Sequence, residues 1–159
     1  MRNIYLFSDI DQNLCGQVIQ QMYGFAESSQ EPITLYINTN GGDVLHAFAL
    51  IETMKRCPAP VHTLALGRCF SAGLLVYLAG TRRLAYSCTM FMSHDFISGN
   101  GPYQRMRKLG DWLERRIVDH FVRHTNLSVD LIKERLMGAE YYFDEQEALA
   151  MGMVDEILI

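Results

Sequence analysis

The stretch Val61-His62-Thr63-Leu64-Ala65-Leu66-Gly67-Arg68-Cys69-Phe70-Ser71-Ala72-Gly73-Leu74-Leu75-Val76-Tyr77-Leu78-Ala79 decides the fold. Its first six residues form an apolar run of strand length. Its last six form an apolar run of helical character, and a glycine-bounded junction with one serine lies between them. A buried strand feeding a buried helix is the unit of a parallel α/β sheet. A serine at that junction presents its hydroxyl at the top of the sheet. The helix start behind it supplies unpaired N–H groups and a positive dipole end, which is what a nucleophilic serine requires.

The same unit recurs upstream. Ile33-Thr34-Leu35-Tyr36-Ile37 reads as a strand that runs through Asn38-Thr39-Asn40 into Gly41-Gly42, and Val44 to Met54 follows as a helix stopped by Pro58 and Pro60. Ile4 to Phe7 reads as a first strand. Asp11 caps a helix with Leu14, Val18, Met22 and Phe25 on one side. Leu84 to Tyr86 and Met90 to Met92 read as further strands, the second leading to His94. Ser98 to Pro102 is a glycine-rich turn. Tyr103 to His124 is a long amphipathic helix, fit either to cover the core or to pair with another subunit. Ser128 caps a helix through Leu136, Glu145 to Met151 is a short helix ended by Gly152, and Met153 to Leu158 closes the chain as a strand. The expectation is one α/β domain over 1–159 with a mainly parallel sheet.

Composition excludes several classes. The chain has 159 residues, 49% hydrophobic and 20% charged, with a formal charge of −4. That length carries one domain with a real core. The acidic balance argues against nucleic acid as a partner. No apolar run approaches the ~18 residues of a membrane helix, and the N-terminus turns acidic too soon for a signal peptide, so the reading is cytosolic. Cys15, Cys57, Cys69 and Cys88 form no CxxC pair and no zinc spacing, and they read as reduced thiols. No cofactor or metal is expected. Gly41-Gly42 lacks the Lys-Ser/Thr of a phosphate loop, and no Gly-x-Gly-x-x-Gly is present.

The candidate base for Ser71 is His94, in Met92-Ser93-His94-Asp95-Phe96. Such a pair needs an imidazole to take the hydroxyl proton and an acid to orient the imidazole. Cys69 is a wall residue or a nucleophile in its own right. Of the other histidines, His62 falls in a strand, His46 at a helix start, and His120 and His124 on the long helix, where they are expected to be solvated. The backbone N–H groups of Gly42 and Ala72 are candidates for holding a developing oxyanion.

Jointly, Leu35-Tyr36-Ile37-Asn38-Thr39-Asn40-Gly41-Gly42, Thr63-x-x-x-Gly67-x-x-x-Ser71-x-Gly73, Met92-x-His94 and Glu147-Ala148-x-x-x-Gly152-x-Val154-Asp155 resemble the proteolytic subunit of the Clp protease (ClpP) family over almost the whole chain. The resemblance implies a ClpP/crotonase-type fold of repeated β-β-α units with a projecting handle helix, about residues 97–125. It implies Ser71 as nucleophile, His94 as base, and Gly42 and Ala72 as oxyanion donors. Extended substrate would pair with backbone near Val44 and Phe96. Register places Glu140 at the position of the family's aspartate, with Asp144 as the alternative.

The resemblance also implies a homo-oligomer of stacked hexameric or heptameric rings that encloses peptides or unfolded chains. The chain reads as a short, divergent member that begins at the family's first core strand, without the N-terminal axial segment. Arg56 falls at an apolar position of the pocket that docks an AAA+ unfoldase, so that partner is in doubt. Two rival functions stand beside the peptidase. One is an inactive ring subunit or scaffold, suggested by Glu140 and by the altered His94-Asp95-Phe96. The other is an acyl-CoA enzyme of the crotonase group.

Overall fold

The computed structural model describes residues 2–96 and 107–159. The strands are β1 (Asn3–Leu6), β2 (Ile33–Thr39), β3 (Val61–Phe70), β4 (Arg83–Tyr86), β5 (Met90–Ser93), β6 (Tyr141–Asp144) and β7 (Glu156–Leu158). The helices are α1 (Gln12–Ser28), α2 (Val44–Arg56), α3 (Ala72–Leu78), α4 (Arg107–His124), α5 (Val129–Leu131), which runs on into a π-helical turn at Ile132–Leu136, and α6 (Glu145–Ala150). Strands β1-β2-β3-β4-β7 lie side by side and parallel. The turn at 98–102 and the first residues of the expected Tyr103–His124 helix lie outside the described residues.

β3 is longer than its apolar run indicates, continuing through Gly67-Arg68-Cys69-Phe70. It serves two partners in succession. Thr63 to Ala65 pair with β4, and Arg68 to Phe70 pair with β5. β5 is thereby carried to the end of β3, where Ser71 stands. β6 has no counterpart in the sequence reading. It runs antiparallel to β5 with Met90 opposite Asp144, Phe91 opposite Phe143, Met92 opposite Tyr142 and Ser93 opposite Tyr141. The closing strand is shorter than expected, because Met153 and Val154 turn into the core before it starts.

The core lies between the sheet and its helices. β2 buries Ile33, Leu35, Ile37 and Thr39 on one face and half-covers the other, as a strand of a parallel sheet does. Asp11 caps α1 by accepting from Leu14 N–H at 2.8 Å, which leaves Cys15, Val18 and Met22 facing inward. α2 is capped by Asp43 and buries Ala47, Leu50, Ile51 and Met54. All seven residues of α3 are buried. Its Leu74, Leu75, Val76 and Leu78 together contribute roughly 6–12 kcal/mol at 1.5–3 kcal/mol per side chain.

α4 is fastened to α3 by a histidine that the sequence reading placed in solvent. His120 is 5% exposed, and its Nε2 donates to the Leu75 carbonyl at 2.8 Å. That carbonyl is available because α3 ends in a tightened turn, with Ala79 N–H bonded to Val76 O and Gly80 N–H to Tyr77 O. Burial, with a smaller push from His124, lowers the His120 pKa to about 3. Burial also lowers that of His124, whose Nδ1 donates to the His120 carbonyl at 2.8 Å.

Both folded-state values lie below the ordinary one, so the unfolded chain binds more protons on acidification. For His120 this contribution is neutral above about pH 6.5 and weakens the fold as pH falls from there toward 3, by up to ~1.4 kcal/mol per unit, and His124 acts in the same direction. Urea midpoints at pH 7 and pH 5 are expected to show that slope. His120→Gln, which keeps a donor but does not titrate, is expected to flatten it.

Candidate active site

Ser71 lies between β3 and α3 with φ 53° and ψ −124°, a left-handed conformation that costs a non-glycine residue about 1–3 kcal/mol. The burial of α3 outweighs that cost. The strain has a geometric result. Ser71 occupies the N-cap position of α3, yet its hydroxyl makes no capping bond and reaches the His94 ring instead. Ser71 Oγ and His94 Nε2 are 2.7 Å apart, and Ser71 is 9% exposed. The pairing follows from the two-partner strand. Ser71 N–H donates to Met92 O at 2.8 Å, so the ends of β3 and β5 are bonded together two residues before His94. The His94 ring stacks on Phe96, centroids 5.2 Å apart, and Phe96 packs against Phe121 of α4.

The double glycine lies against the same turn. Gly41 has φ 109°, and a Cβ there would stand 2.8 Å from Ser71 Cβ, 2.9 Å from Phe70 O and 3.1 Å from Ala72 N. Gly42 has φ 140°, and a Cβ there would meet the Ile10 backbone at 2.5 Å. Ile10 N–H donates to Gly41 O, and Asp43 N–H donates to Ile10 O. Gly42 is thus clamped in a parallel bridge that leaves its own N–H out of the ladder. Ala72 opens α3, where an N–H has no intrahelical acceptor. Two backbone donors therefore come from the two segments that meet at Ser71.

Thr39 holds this arrangement and was missed in the sequence. Its hydroxyl donates to Ser8 O at 2.7 Å and accepts from Gly41 N–H at 3.0 Å, and its methyl occupies the space a side chain at Gly73 would need. The available signal was a threonine two residues before a glycine, where a hydroxyl folds back on the backbone.

The remaining expected residues are placed as follows. Val44 begins α2 directly after its Asp43 cap. Phe96 is buried beneath the His94 ring rather than displayed. Cys69 is fully buried and burial raises its thiol pKa well above the usual range, which fits a wall residue rather than a nucleophile. Arg56 is exposed at the end of α2, 3.9 Å from Glu52. Asp144 caps α6, accepting from Gln146 and Glu147 N–H in a capping box, and lies opposite Met90, away from His94. Glu140 is exposed, and its Oε2 accepts from the Tyr142 hydroxyl at 3.1 Å. Among the described residues the structure brings Ser71 and His94 into contact, and the hydrogen bond of Glu140 goes to Tyr142 rather than to the imidazole. No group of three metal-ligating side chains occurs among the described residues, and no described helix is long and apolar enough to cross a membrane.

Comparison with known proteins agrees with this fold. The Clp protease family model matches residues 1–159. Among curated relatives, the ATP-dependent Clp protease proteolytic subunit 2 of Thermobifida fusca is 30% identical over 164 aligned positions, covering 99% of this chain and 80% of that protein. The ATP-dependent Clp protease proteolytic subunit of Deinococcus radiodurans is 27% identical, with 99% and 80% covered. Among solved structures, a ClpP1 mutant from Listeria monocytogenes superposes with a TM-score of 0.90 at 26% identity, covering 99% of this chain and 91% of that one. The ClpP protease catalytic domain from Plasmodium falciparum superposes at 0.87 with 21% identity, covering 99% and 85%, which is a likeness of fold.

Proposed function

This chain belongs to the Clp protease family, and from that membership and the Ser71–His94 pair we propose a serine endopeptidase that cuts peptides or unfolded polypeptides through an acyl-enzyme. The observation that carries the proposal is the 2.7 Å approach of Ser71 Oγ to His94 Nε2, within the reach a general base requires. His94 takes the hydroxyl proton as Ser71 Oγ attacks the peptide carbonyl. The N–H groups of Gly42 and Ala72 receive the negative charge on the former carbonyl oxygen. His94 then returns the proton to the leaving amine, which leaves the acyl group on Ser71. A water deprotonated by His94 releases it. Glu140 orients the imidazole when its carboxylate turns from Tyr142. The substrate lies extended, pairing with backbone at Val44 on one side and Phe96 on the other.

The working form is a homo-oligomeric ring of cytoplasmic location, whose chamber admits peptides and unfolded chains. An AAA+ unfoldase is a candidate feeder, although the charged Arg56 faces solvent where the family has an apolar docking position. The test is labelling of the assembled protein with a fluorophosphonate. A stable adduct is expected on Ser71 by mass mapping and none on Ser71→Ala, with cleavage of a fluorogenic peptide following the same pattern. Absence of both adduct and cleavage would favour the second reading, an inactive ring subunit, which the Glu140–Tyr142 bond supports.

A further inference from the structure

Glu140, the carboxylate expected as third member of the site, has Tyr142 on its own segment and His94 on the segment beside it. In the β5–β6 pair, Met92 faces Tyr142 and Ser93 faces Tyr141. The ladder ends at Ser93 and Tyr141, and Asp95 N–H donates to Gly138 O at 2.8 Å, one residue out of that register, so the segments carrying His94 and Glu140 stay side by side beyond the last pair. Side chains alternate along strands, and directly opposed residues share a face. Phe91 and Phe143 stack at 5.6 Å on the core side. Met92 and Tyr142 therefore belong to the other face, with the His94 ring on Ser71 just past the end of β5 and Glu140 bonded to Tyr142 just before β6. Glu140 thus has His94 on the neighbouring segment and Tyr142 two residues further along its own. In this structure the carboxylate is with Tyr142.

Tyr142 is itself held. Its ring stands edge-on to Phe70, centroids 5.7 Å apart, and Phe70 immediately precedes the nucleophile and pairs with Met92 in the β3–β5 ladder. Phe70, Met92 and Tyr142 thus form one row across three strands, and the row fixes where the phenol points. The bond to Glu140 raises the Tyr142 pKa, so the phenol remains a donor at neutral pH.

We propose that Tyr142 is a positioning residue that latches the Glu140 carboxylate away from His94, so that the nucleophile–base pair is formed while its orienting acid is withheld. This inference rests on the peptidase reading of Ser71 and His94. Release of the latch lets Glu140 turn to the imidazole, and the enzyme passes from a two-membered to a three-membered site without movement of the strands. Because one exposed hydrogen bond holds the latch, its bias is modest, about two- to tenfold. Among the described residues, Ser71 from the β3–α3 turn and Phe96 of its own segment lie against the imidazole, and the carboxylates on the adjoining segments are Asp95 and Glu140.

Tyr142→Phe deletes the hydroxyl and keeps the ring on Phe70. In the assembled protein it is expected to raise kcat for a fluorogenic peptide about two- to tenfold with little change in KM. The acid limb of the kcat/KM profile should move to higher pH, since a carboxylate beside an imidazole favours its protonated form. In a Glu140→Gln background the same substitution is expected to do nothing.

A second readout does not need turnover. The pH dependence of deuterium exchange at the His94 imidazole C2, read by mass spectrometry, should shift in the same direction in Tyr142→Phe and stay still in the double variant. An unchanged profile and unchanged exchange in Tyr142→Phe would overturn the latch. So would a loss of activity matching Glu140→Gln, which would make the tyrosine an aid rather than a restraint. If the unmodified protein neither labels nor cleaves, the peptidase reading fails, and the imidazole exchange still decides whether Tyr142 holds Glu140 from His94.

Discussion

Alanine at Ser71, at His94, or at both positions is expected to lower peptide cleavage by the same factor, on the order of 10^6-fold in kcat. The two side chains act as one device, so removing the second after the first takes away nothing further. The geometry makes this a sharp expectation, because each group's bond at the site is to the other, at 2.7 Å. Stability should separate the two single variants. Ser71→Ala leaves φ at 53° with a Cβ still in place, so the backbone strain persists. Ser71→Gly removes that penalty and is expected to raise the unfolding free energy by about 1 kcal/mol while losing activity just as fully. His94→Ala loses the ring stack on Phe96 and is expected to cost stability without changing the strain. The checks are steady-state cleavage of one peptide by the unmodified protein and the four variants, and urea unfolding of the single variants. Additive losses in the double variant would show that Ser71 and His94 do not work as a pair.

Gly41→Ala carries the second large effect. A methyl there meets Ser71 Cβ, Phe70 O and Ala72 N within 3.1 Å, and φ is 109°, so neither the space nor the backbone accepts it. Two of the three atoms are backbone atoms of the turn that carries the nucleophile and cannot swing aside. The expected cost is about 2–4 kcal/mol of stability. A fall in cleavage of at least 10^2–10^3-fold is expected, the loss that follows when one oxyanion donor is displaced. Gly16 provides the control. It sits inside α1 with nothing within 4 Å of an added Cβ, and Gly16→Ala is expected to stabilise by about 0.5–1 kcal/mol with cleavage unchanged. Thermal melts and cleavage rates of the two variants side by side test the contrast.

Much of this was legible in the chain, and the gaps have physical causes. The β2 and β3 runs, their glycine-bounded ends and the helices after them announce themselves, since buried parallel strands are continuous apolar segments and glycines mark where the backbone must turn tightly. Ser71 and His94 were legible because both stand at strand ends. The extension of β3 through Gly67-Arg68 was hidden, since a glycine and a charged residue read as a turn, and pairing of that stretch with β5 overrides the local signal.

β6 was hidden because Tyr141 to Asp144 is four residues long and is stabilised by a partner some fifty positions away, which no local pattern records. His120 was misplaced because the helix around it is rich in charge. Its burial depends on a single free carbonyl at the end of α3, a tertiary detail. Family register pointed to Glu140, yet the choice between His94 and Tyr142 as its partner belongs to side-chain geometry. Register alone brings the two segments together and does not choose between them.

The amide of Ser71 is tied to the carbonyl of Met92. Nucleophile and base are therefore not mounted on two independently moving parts. A tilt or slide of β5 would carry Ser71 along with His94, so flexing of the sheet leaves their separation nearly constant. The degree of freedom that remains is rotation of side chains about their own bonds, at His94 and at the carboxylate that serves it. Such rotations take place on picosecond to nanosecond timescales where they are unhindered, far faster than the microsecond to millisecond motions of whole elements. Resting and working forms of this site would then differ by torsion angles within one rigid frame, and a rise in activity would leave no trace in the backbone.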